Sequence, residues 1–121
     1  LTVFGDGTQR RAFGHVSDII DGLIRAAASE QTNLVLNLGN PDNLVEIGRL
    51  AEMVLQRVGG DSAIQYVDPK ALHGFWFEES FEKVPFPQRA QAVLGWHPRY
   101  DLDDLLDAVW DSIVTPGCQG K

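Results

Sequence analysis

The sequence predicts a small mixed α/β domain. Short β-prone runs alternate with longer stretches in which apolar residues recur at helical spacing, and turn-forming glycines and prolines separate them. The chain has 121 residues, which is enough for one domain and too few for two. Its content of 44% hydrophobic and 22% charged residues is that of a globular protein. The predicted strands are few and far apart, so we expect no convincing sheet from this chain alone.

The first predicted element is a strand at the amino terminus. Residues 1–4 alternate like a strand and end at the turn Gly5-Asp6-Gly7. A polar, basic connector over 8–11 and a short extended piece over 13–16 follow. The sequence starts at a leucine inside this strand, which is typical of a piece of a longer polypeptide.

A helix, a strand and a second helix are predicted next. Ser17 is the expected N-cap of a helix over 18–28, in which apolar residues recur at positions 19, 20, 23, 24 and 27. Residues 34–38, Leu-Val-Leu-Asn-Leu, predict a strand that stops at an Asn-Pro turn. An apolar stripe over 47–58 predicts a helix that two glycines terminate.

The C-terminal part predicts a strand and two helices around an aromatic-rich connector. Residues 63–67 form the strand, and the connector over 69–86 shows little periodicity. A short helix over 87–94 ends at a glycine. Asp101 is the expected cap of the last helix, whose apolar residues at 102, 105, 106, 109 and 113 share one face.

Charge and cysteine content exclude several classes of function. Seventeen acidic residues against ten Lys and Arg give a net charge of −7, which argues against nucleic-acid binding. No apolar run is long enough to span a membrane, and no signal peptide opens the chain. The expected domain covers residues 1–115, and residues 116–121 form a flexible tail that holds the single cysteine, Cys118. A lone cysteine forms no internal disulfide, so we expect a reducing, cytoplasmic setting.

Two segments resemble a catalytic motif and a dinucleotide-binding motif, but neither is expected to form one. Tyr66 and Lys70 have the Tyr-x-x-x-Lys spacing of reductases, which requires both residues on one helical face. Pro69 interrupts such a helix, so we expect Asp68 to cap a turn instead and the two side chains to separate. The turn Gly5-Asp6-Gly7 lacks the third glycine and the following helix of a dinucleotide-binding loop.

The remaining candidate is the basic pair Arg10-Arg11 in an otherwise acidic chain. The planar fork of an arginine suits bidentate phosphate contacts, although an arginine on a loop is also ordinary surface. From the residues alone both interpretations stay open. No metal site is predicted, because the histidines at 15, 73 and 97 lie far apart in the sequence.

Four segments carry a family resemblance. They read Leu-Thr-Val-Phe-Gly-Asp-Gly-Thr-Gln-Arg-Arg-Ala-Phe at 1–13, His-Val-Ser-Asp at 15–18, Asn-Leu-Gly-Asn-Pro at 37–41, and Ala-Val-Leu-Gly-Trp-His-Pro at 92–98. Together, and in this order over residues 1–114, they resemble the C-terminal portion of extended short-chain dehydrogenases. These enzymes form the NAD-dependent nucleotide-sugar epimerase, dehydratase and decarboxylase family. Within the family the chain looks most like UDP-glucuronate decarboxylases.

The resemblance implies that the two parts of the complete enzyme have different roles. In this family a Rossmann domain holds NAD and the catalytic Ser/Thr, Tyr and Lys, and the C-terminal part binds the nucleotide-sugar. The present chain matches only the second part. The resemblance therefore implies no catalytic residue and no cofactor in this chain, a missing Rossmann half as its partner, NAD for the complete enzyme, and a UDP-sugar as the substrate.

The family's binding residues correspond to five positions. Arg11 falls on the arginine that binds the diphosphate, and Thr2 and Phe4 fall where the strand backbone meets the pyrimidine base. Phe77 falls where an aromatic ring can lie against the base, with a buried core aromatic as the alternative. Lys83 stands where the family carries an arginine near the sugar carboxylate. It keeps the positive charge without the bidentate fork, which weakens the case for decarboxylation.

These observations predict the substrate-binding portion of an NAD-dependent nucleotide-sugar enzyme that is catalytically incomplete by itself. Two alternatives stay open: a stand-alone nucleotide-sugar-binding or interaction module, and a truncated product with structural value only. In the last case we expect the chain to expose apolar surface around the aromatic segment 75–86 and to self-associate.

Overall fold

The computed structural model describes residues 1–74, 76, 78 and 80–115. These residues fall into two compact units. Unit 1 comprises the described residues of 1–11, 45–83 and 109–121, and unit 2 comprises 12–44 and 84–108. Within the described ranges, no helix is long and apolar enough to cross a lipid bilayer.

Short strands and helices alternate along the chain, as the sequence predicts. The strands are β1 (Thr2–Phe4), β2 (Arg10–Ala12), β3 (Leu44–Glu46), β4 (Gln65–Val67) and β5 (Glu82–Lys83). The helices are α1 (Val16–Ala28), α2 (Ile47–Val58), α3 (Pro69–His73), α4 (Gln88–Leu94) and α5 (Leu102–Val114). A 3₁₀ turn, Pro41–Asn43, precedes β3.

The strands pair into small sheets. β1 and β4 lie parallel, with Thr2 opposite Gln65 and Phe4 opposite Val67. The other sheet has the order β3-β2-β5, and β2 and β5 are parallel. Sheets of two or three short strands are only marginally stable alone, so packing against helices must contribute much of the stability. The predicted class, a small mixed α/β fold, is confirmed.

Helices α2, α4 and α5 lie where the sequence predicts them. α2 ends at Gly59 and α4 ends at Gly95, which adopts the left-handed conformation. Asp101 caps α5, because its Oδ1 accepts a hydrogen bond from the Asp104 backbone N–H. The Asp104 carboxylate accepts a bond from the Asp101 N–H in return, so the two residues form a reciprocal capping box.

The predicted start of α1 is wrong by two residues. The helix begins at Val16, and its N-cap is His15 rather than Ser17. The His15 Nδ1 accepts a hydrogen bond from the Ser17 backbone N–H at 3.1 Å. An imidazole nitrogen here performs the capping role for which serine is the commoner choice, so the residue-type preference misplaced the boundary.

One strand prediction is wrong, and three strands were not predicted. Residues 34–38 belong to no strand, although their side chains alternate between half-buried and exposed. β2 forms where the sequence predicted the end of a polar connector, β3 follows the Asn-Pro turn, and β5 lies in the aromatic-rich connector. A strand exists only where a partner pairs with it, and local residue preference does not report the partner.

Unit 2 is organised around Trp96 and Asp18. Trp96 is fully buried, and its Nε1 donates a hydrogen bond to the Asp18 backbone carbonyl at 2.8 Å. Gly22, one turn further along α1, leaves room for the indole, since a Cβ there would lie 3.1 Å from Trp96 Nε1. The side-chain amides of Asn40 and Asn43 both donate to the Tyr100 carbonyl. Backbone partners thus satisfy buried polar side chains and fix the loop that follows α4.

Candidate functional site

Strands β2 and β5 bring two predicted binding residues together. Arg11 and Lys83 are partners in the parallel register of these strands. Register partners project from the same face of a sheet, and their backbones are about 4.8 Å apart. Like charges in this position destabilise each other, which favours binding of an anion close to both.

The guanidinium of Arg11 is oriented by backbone carbonyl oxygens. Its Nη2 donates to the Ser80 carbonyl at 2.8 Å, and its Nη1 donates to the Phe81 carbonyl at 3.2 Å and to the Arg10 carbonyl at 2.7 Å. These bonds hold the planar fork at the start of β5. An oxyanion that binds this guanidinium therefore has to displace these carbonyl oxygens.

Arg10 is bound differently from its neighbour. Its Nη1 forms an ion pair with Glu82 Oε2 at 2.8 Å, and both side chains are about two-fifths exposed. Successive residues of a strand point to opposite faces, so Arg10 and Glu82 lie on the face opposite to Arg11 and Lys83. Arg10 therefore provides a matched comparison for Arg11.

Strand β1 presents the other predicted contacts. Thr2 and Phe4 are exposed, and Val3 between them is buried. Leu1 and Gly5 direct their peptide groups to β4, since the Gln65 N–H donates to the Leu1 carbonyl and the Gly5 N–H donates to the Val67 carbonyl. By strand alternation, Thr2 and Phe4 direct their peptide groups to the outer edge of the sheet.

Gln9 connects β1 to β2, and sequence reasoning missed it. Its side chain is buried, and its Nε2 donates a hydrogen bond to the Phe4 carbonyl at 2.7 Å. Its own carbonyl accepts a bond from the Ile47 N–H at the start of α2. The only signal in the sequence was its place inside the first of the four family segments.

The turn between β1 and β2 is closed by Asp6 and Thr8. Asp6 Oδ1 accepts hydrogen bonds from the Thr8 hydroxyl at 2.7 Å and from the Thr8 N–H at 3.0 Å. These bonds lower the pKa of Asp6 below its ordinary value of 3.8, the hydroxyl bond first. The carboxylate therefore stays ionised, and the turn stays closed, throughout the physiological pH range.

Gly7 lies where this turn touches α2 and β4. Its φ is +80°, and a Cβ at this position would lie 2.9 Å from the Tyr66 ring and 3.1 Å from Gly48 Cα. Gly5 shares a positive φ of +72°, but its nearest atom would be Gln9 Oε1 at 3.8 Å. Substitutions at the two glycines can therefore be compared to distinguish the energetic cost of a positive φ from that of a steric clash.

We expect Gly7→Ala to lower the free energy of unfolding by about 2–3 kcal/mol, because backbone strain adds to a steric clash. Gly5→Ala, the control, is expected to cost only the strain, about 1 kcal/mol. Denaturant unfolding of both variants measures the difference. Equal losses would contradict the close packing of Gly7.

The carboxyl ends of β1 and β4 border an open depression. Its volume is about 540 Å³, and it is lined by Gly5, Asp6, Tyr66, Val67, Asp68 and Pro69. Asp68 caps the short helix α3 by accepting a bond from the Lys70 N–H, so Tyr66 lies in strand β4 while Lys70 lies in helix α3. The two residues therefore do not share the face of one helix, and Asp68 is the cap that the sequence predicts. The acidic rim does not suit a phosphate.

The described residues do not fit NAD. The turn at 5–7 leads into strand β2, so it offers no helix N-terminus to a pyrophosphate. β3 runs directly into α2 without an intervening glycine loop. In the same described ranges, no three His, Cys, Asp or Glu side chains are grouped to hold a metal ion. Phe77 and Cys118 lie outside the described residues, as does the segment 116–121.

Comparison with known proteins identifies a matching family and similar curated proteins. Residues 1–39 match the family described as "NAD dependent epimerase/dehydratase family". UDP-D-apiose/UDP-D-xylose synthase 1 of Arabidopsis thaliana is 31% identical over 117 residues, covering 89% of this chain and 30% of that protein. UDP-glucuronic acid decarboxylase 1 of Danio rerio is 35% identical over 107 residues, covering 88% of this chain and 24% of that protein. The chain thus spans less than a third of the length of these relatives.

Solved structures of such enzymes share the fold. UDP-glucuronic acid 4-epimerase from Bacillus cereus, in complex with UDP-glucuronic acid and NAD, superposes with a TM-score of 0.80 at 26% identity. The match covers 93% of this chain and 34% of the epimerase. dTDP-glucose 4,6-dehydratase from Bacillus anthracis, at 19% identity and a TM-score of 0.77, shares the fold alone. From the matched family segment, the relatives that align along nearly the whole chain and the common fold, it follows that this chain belongs to the NAD-dependent epimerase/dehydratase family of extended short-chain dehydrogenases.

Proposed function

We propose that residues 1–115 form the nucleotide-sugar-binding portion of an NAD-dependent epimerase, dehydratase or decarboxylase. The observation that carries the proposal is the register pair of Arg11 and Lys83. A chain with a net charge of −7 places two cations side by side on one face of a sheet. Such an arrangement is stabilised by a bound oxyanion, and the diphosphate of a UDP-sugar supplies one.

In this proposal each residue has a distinct role. The guanidinium of Arg11 binds the diphosphate through two N–H groups, and Lys83 adds a point charge that suits phosphate or a sugar carboxylate. The pyrimidine base binds at the outer edge of β1, beside Thr2 and Phe4, and Phe77 is kept as the aromatic candidate that the family resemblance implies. Phosphate oxygens take the places of the Ser80 and Phe81 carbonyls at Arg11, so binding loosens the end of the connector.

NAD supplies the hydride chemistry of such enzymes. We assign NAD to a part of the complete enzyme outside this chain, because the described residues offer no fit for it. The residues of this chain bind and orient the sugar, which lowers the entropic cost of the reaction without taking part in bond breaking.

Calorimetric titration of the chain with UDP-glucuronate, and separately with NAD, tests the proposal. We choose UDP-glucuronate because the solved epimerase holds it. The expected result is binding of UDP-glucuronate and no binding of NAD. Binding of neither ligand would contradict the proposed role for the isolated chain, and binding of NAD would contradict the assignment of the cofactor.

Arg11→Ala is expected to weaken UDP-glucuronate binding by about 1.5–3 kcal/mol, or about 10- to 150-fold in Kd, because a charge-assisted hydrogen bond is lost. The matched control is Arg10→Ala, which removes an arginine from the opposite face of the same strand. We expect the control to leave Kd unchanged within about twofold. If the two variants changed Kd equally, Arg11 would be an ordinary surface arginine without a specific binding role.

A further inference from the structure

The two strands of the proposed nucleotide-sugar site belong to different sheets. β1 pairs with β4, whereas β2 lies between β3 and β5. Among the described residues no ladder joins β1 to β2, so backbone pairing does not set the distance between these strands. A nucleoside diphosphate carries its base and its diphosphate on one ribose, which limits how far apart they can bind. The spacing of β1 and β2 therefore matters for the site and has to be fixed by other contacts.

Gln9 provides such a contact. It immediately precedes β2, and its Nε2 reaches back to β1 and donates a hydrogen bond to the Phe4 carbonyl at 2.7 Å. Its backbone carbonyl accepts a bond from the N–H of Ile47, the first residue of α2, at 3.0 Å. One residue thus joins β1, the start of β2 and α2. All three residues belong to unit 1, as does Arg11.

The turn between Phe4 and Gln9 is itself held in place. The Gly5 N–H donates to the Val67 carbonyl at 2.9 Å, and the Gly7 carbonyl accepts a bond from the Gly48 N–H at 2.9 Å. The backbone on the N-terminal side of Gln9 is therefore ordered by β4 and by α2. The Gln9 side chain is buried and already ordered, so ligand binding does not have to immobilise it.

The amide group of Gln9 adds direction to this packing. An apolar side chain of similar shape at a buried position often stabilises a fold as well as a hydrogen-bonded polar one does, because burial of an amide costs its hydration. A hydrogen bond, unlike an apolar contact, depends on the orientation of its two partners. The bond from Gln9 therefore orients the Phe4 peptide group, which faces the outer edge of β1.

We propose that Gln9 is a positioning residue of the nucleotide-sugar site. It fixes the separation between the outer edge of β1 and the Arg11 guanidinium, and it touches neither the base nor the diphosphate. Two weak subsites at a fixed separation act as one strong site for a ligand that fills both at once, because the second contact becomes intramolecular. Gln9 thereby selects ligands in which base and diphosphate are joined. The proposal rests on the proposed function and deepens it.

Gln9→Met tests the proposal, because methionine keeps the length of the side chain and lacks the donor. We expect the Kd of the chain for UDP-glucuronate to rise at least about tenfold. The Kd for inorganic pyrophosphate, which has no base and uses the Arg11 subsite alone, is expected to stay within about twofold in a titration followed by NMR. Arg11→Ala, in contrast, is expected to weaken both ligands.

Gln56→Met is the matched control, because Gln56 is an exposed glutamine of α2 in the same unit. We expect it to change neither Kd by more than about twofold. Thermal unfolding of each variant is measured alongside, so that the binding data refer to folded protein.

Gln9→Glu provides a second, reversible variant. Burial raises the pKa of the introduced carboxyl above its ordinary value, and the protonated carboxyl can donate to the Phe4 carbonyl whereas the ionised one cannot. UDP-glucuronate binding by this variant is therefore expected to be close to that of the wild type at about pH 5 and at least about tenfold weaker at about pH 8. The wild type is expected to change by less than about twofold between the same conditions.

The outcomes distinguish positioning from a general structural role. Equal losses of UDP-glucuronate and pyrophosphate binding in Gln9→Met would mean that the residue only supports the fold, and they overturn the proposal. An unchanged Kd for UDP-glucuronate in Gln9→Met, or a pH profile of Gln9→Glu that matches the wild type, also overturns it. These results leave the proposed function intact, whereas a wild-type chain that binds no UDP-glucuronate contradicts the proposed function and the positioning role together.

Discussion

Trp96→Ala is expected to lower the free energy of unfolding by about 3–5 kcal/mol, which is a large part of the stability of a small domain. The indole of Trp96 is fully buried in unit 2. Its removal leaves a cavity beside Gly22, and the Asp18 carbonyl loses the N–H that reaches it at 2.8 Å. Denaturant unfolding followed by circular dichroism measures the loss.

Two variants separate packing from hydrogen bonding. Trp96→Phe keeps much of the ring volume and removes the N–H, so we expect a loss of about 1–2 kcal/mol. Trp76→Ala is the control, because Trp76 is 89% exposed and its removal leaves no cavity. We expect the control to change stability by less than about 0.5 kcal/mol. A loss below 1 kcal/mol for Trp96→Ala would contradict the role of Trp96 as the core of unit 2.

The sequence predicts the helices well because their signals are local. The apolar stripe and the two glycines locate α2, and Asp101 with Asp104 locates the start of α5 within a few residues. Each signal involves neighbours along one helix, so no knowledge of the rest of the fold is needed. His15 is the exception, since a histidine cap carries little local preference.

The strands are less predictable because pairing is nonlocal. The register partner of Arg11 in β2 is Lys83 in β5, which lies about 70 residues later in the chain, within a connector that shows little periodicity. The segment 34–38 has a strong strand pattern but pairs with no strand in the part of the chain that the structure describes. Local preference thus predicted one strand that does not form and missed β2, β3 and β5, which do.

For the candidate site, the sequence supplied residues but not their arrangement. The family resemblance pointed to Arg11 and Lys83, and the two are register partners in the structure. Neither Gln9 nor the buried carboxylate of Asp18 was singled out, since both act through backbone partners that sequence does not reveal. Polar residues that bind distant backbone groups are recognised only once the fold is known.

Asp18→Ala is expected to cost about 3–5 kcal/mol. The residue is 1% exposed, and its Oδ2 accepts hydrogen bonds from the Arg99 and Tyr100 backbone N–H groups at 3.0 and 3.2 Å. Alanine removes the acceptor of both part-buried N–H groups, at about 1–3 kcal/mol each. Thermal and denaturant unfolding measure the effect.

Comparison variants identify which property of Asp18 matters. Asp18→Asn retains an acceptor oxygen and should lose less than Asp18→Ala. Arg99→Ala removes a guanidinium that lies 3.5 Å from Asp18 Oδ1 but is 62% exposed, so we expect a loss below about 1 kcal/mol. A larger effect of Arg99→Ala than of Asp18→Asn would mean that the ion pair, rather than the backbone hydrogen bonds, holds the turn.

Trp96 and Asp18 stabilise the same loop from its two ends. The indole binds the Asp18 carbonyl, and the Asp18 carboxylate binds the backbone three and four residues beyond the indole. Once either contact is lost, the loop is free to move. The second contact then contributes less to the free energy of unfolding. The two alanine variants should therefore be subadditive, with a coupling of about 1–3 kcal/mol in a double-mutant cycle. If the losses in unfolding free energy were strictly additive, the two residues would act independently. The contacts between α1 and the loop would then not be cooperative.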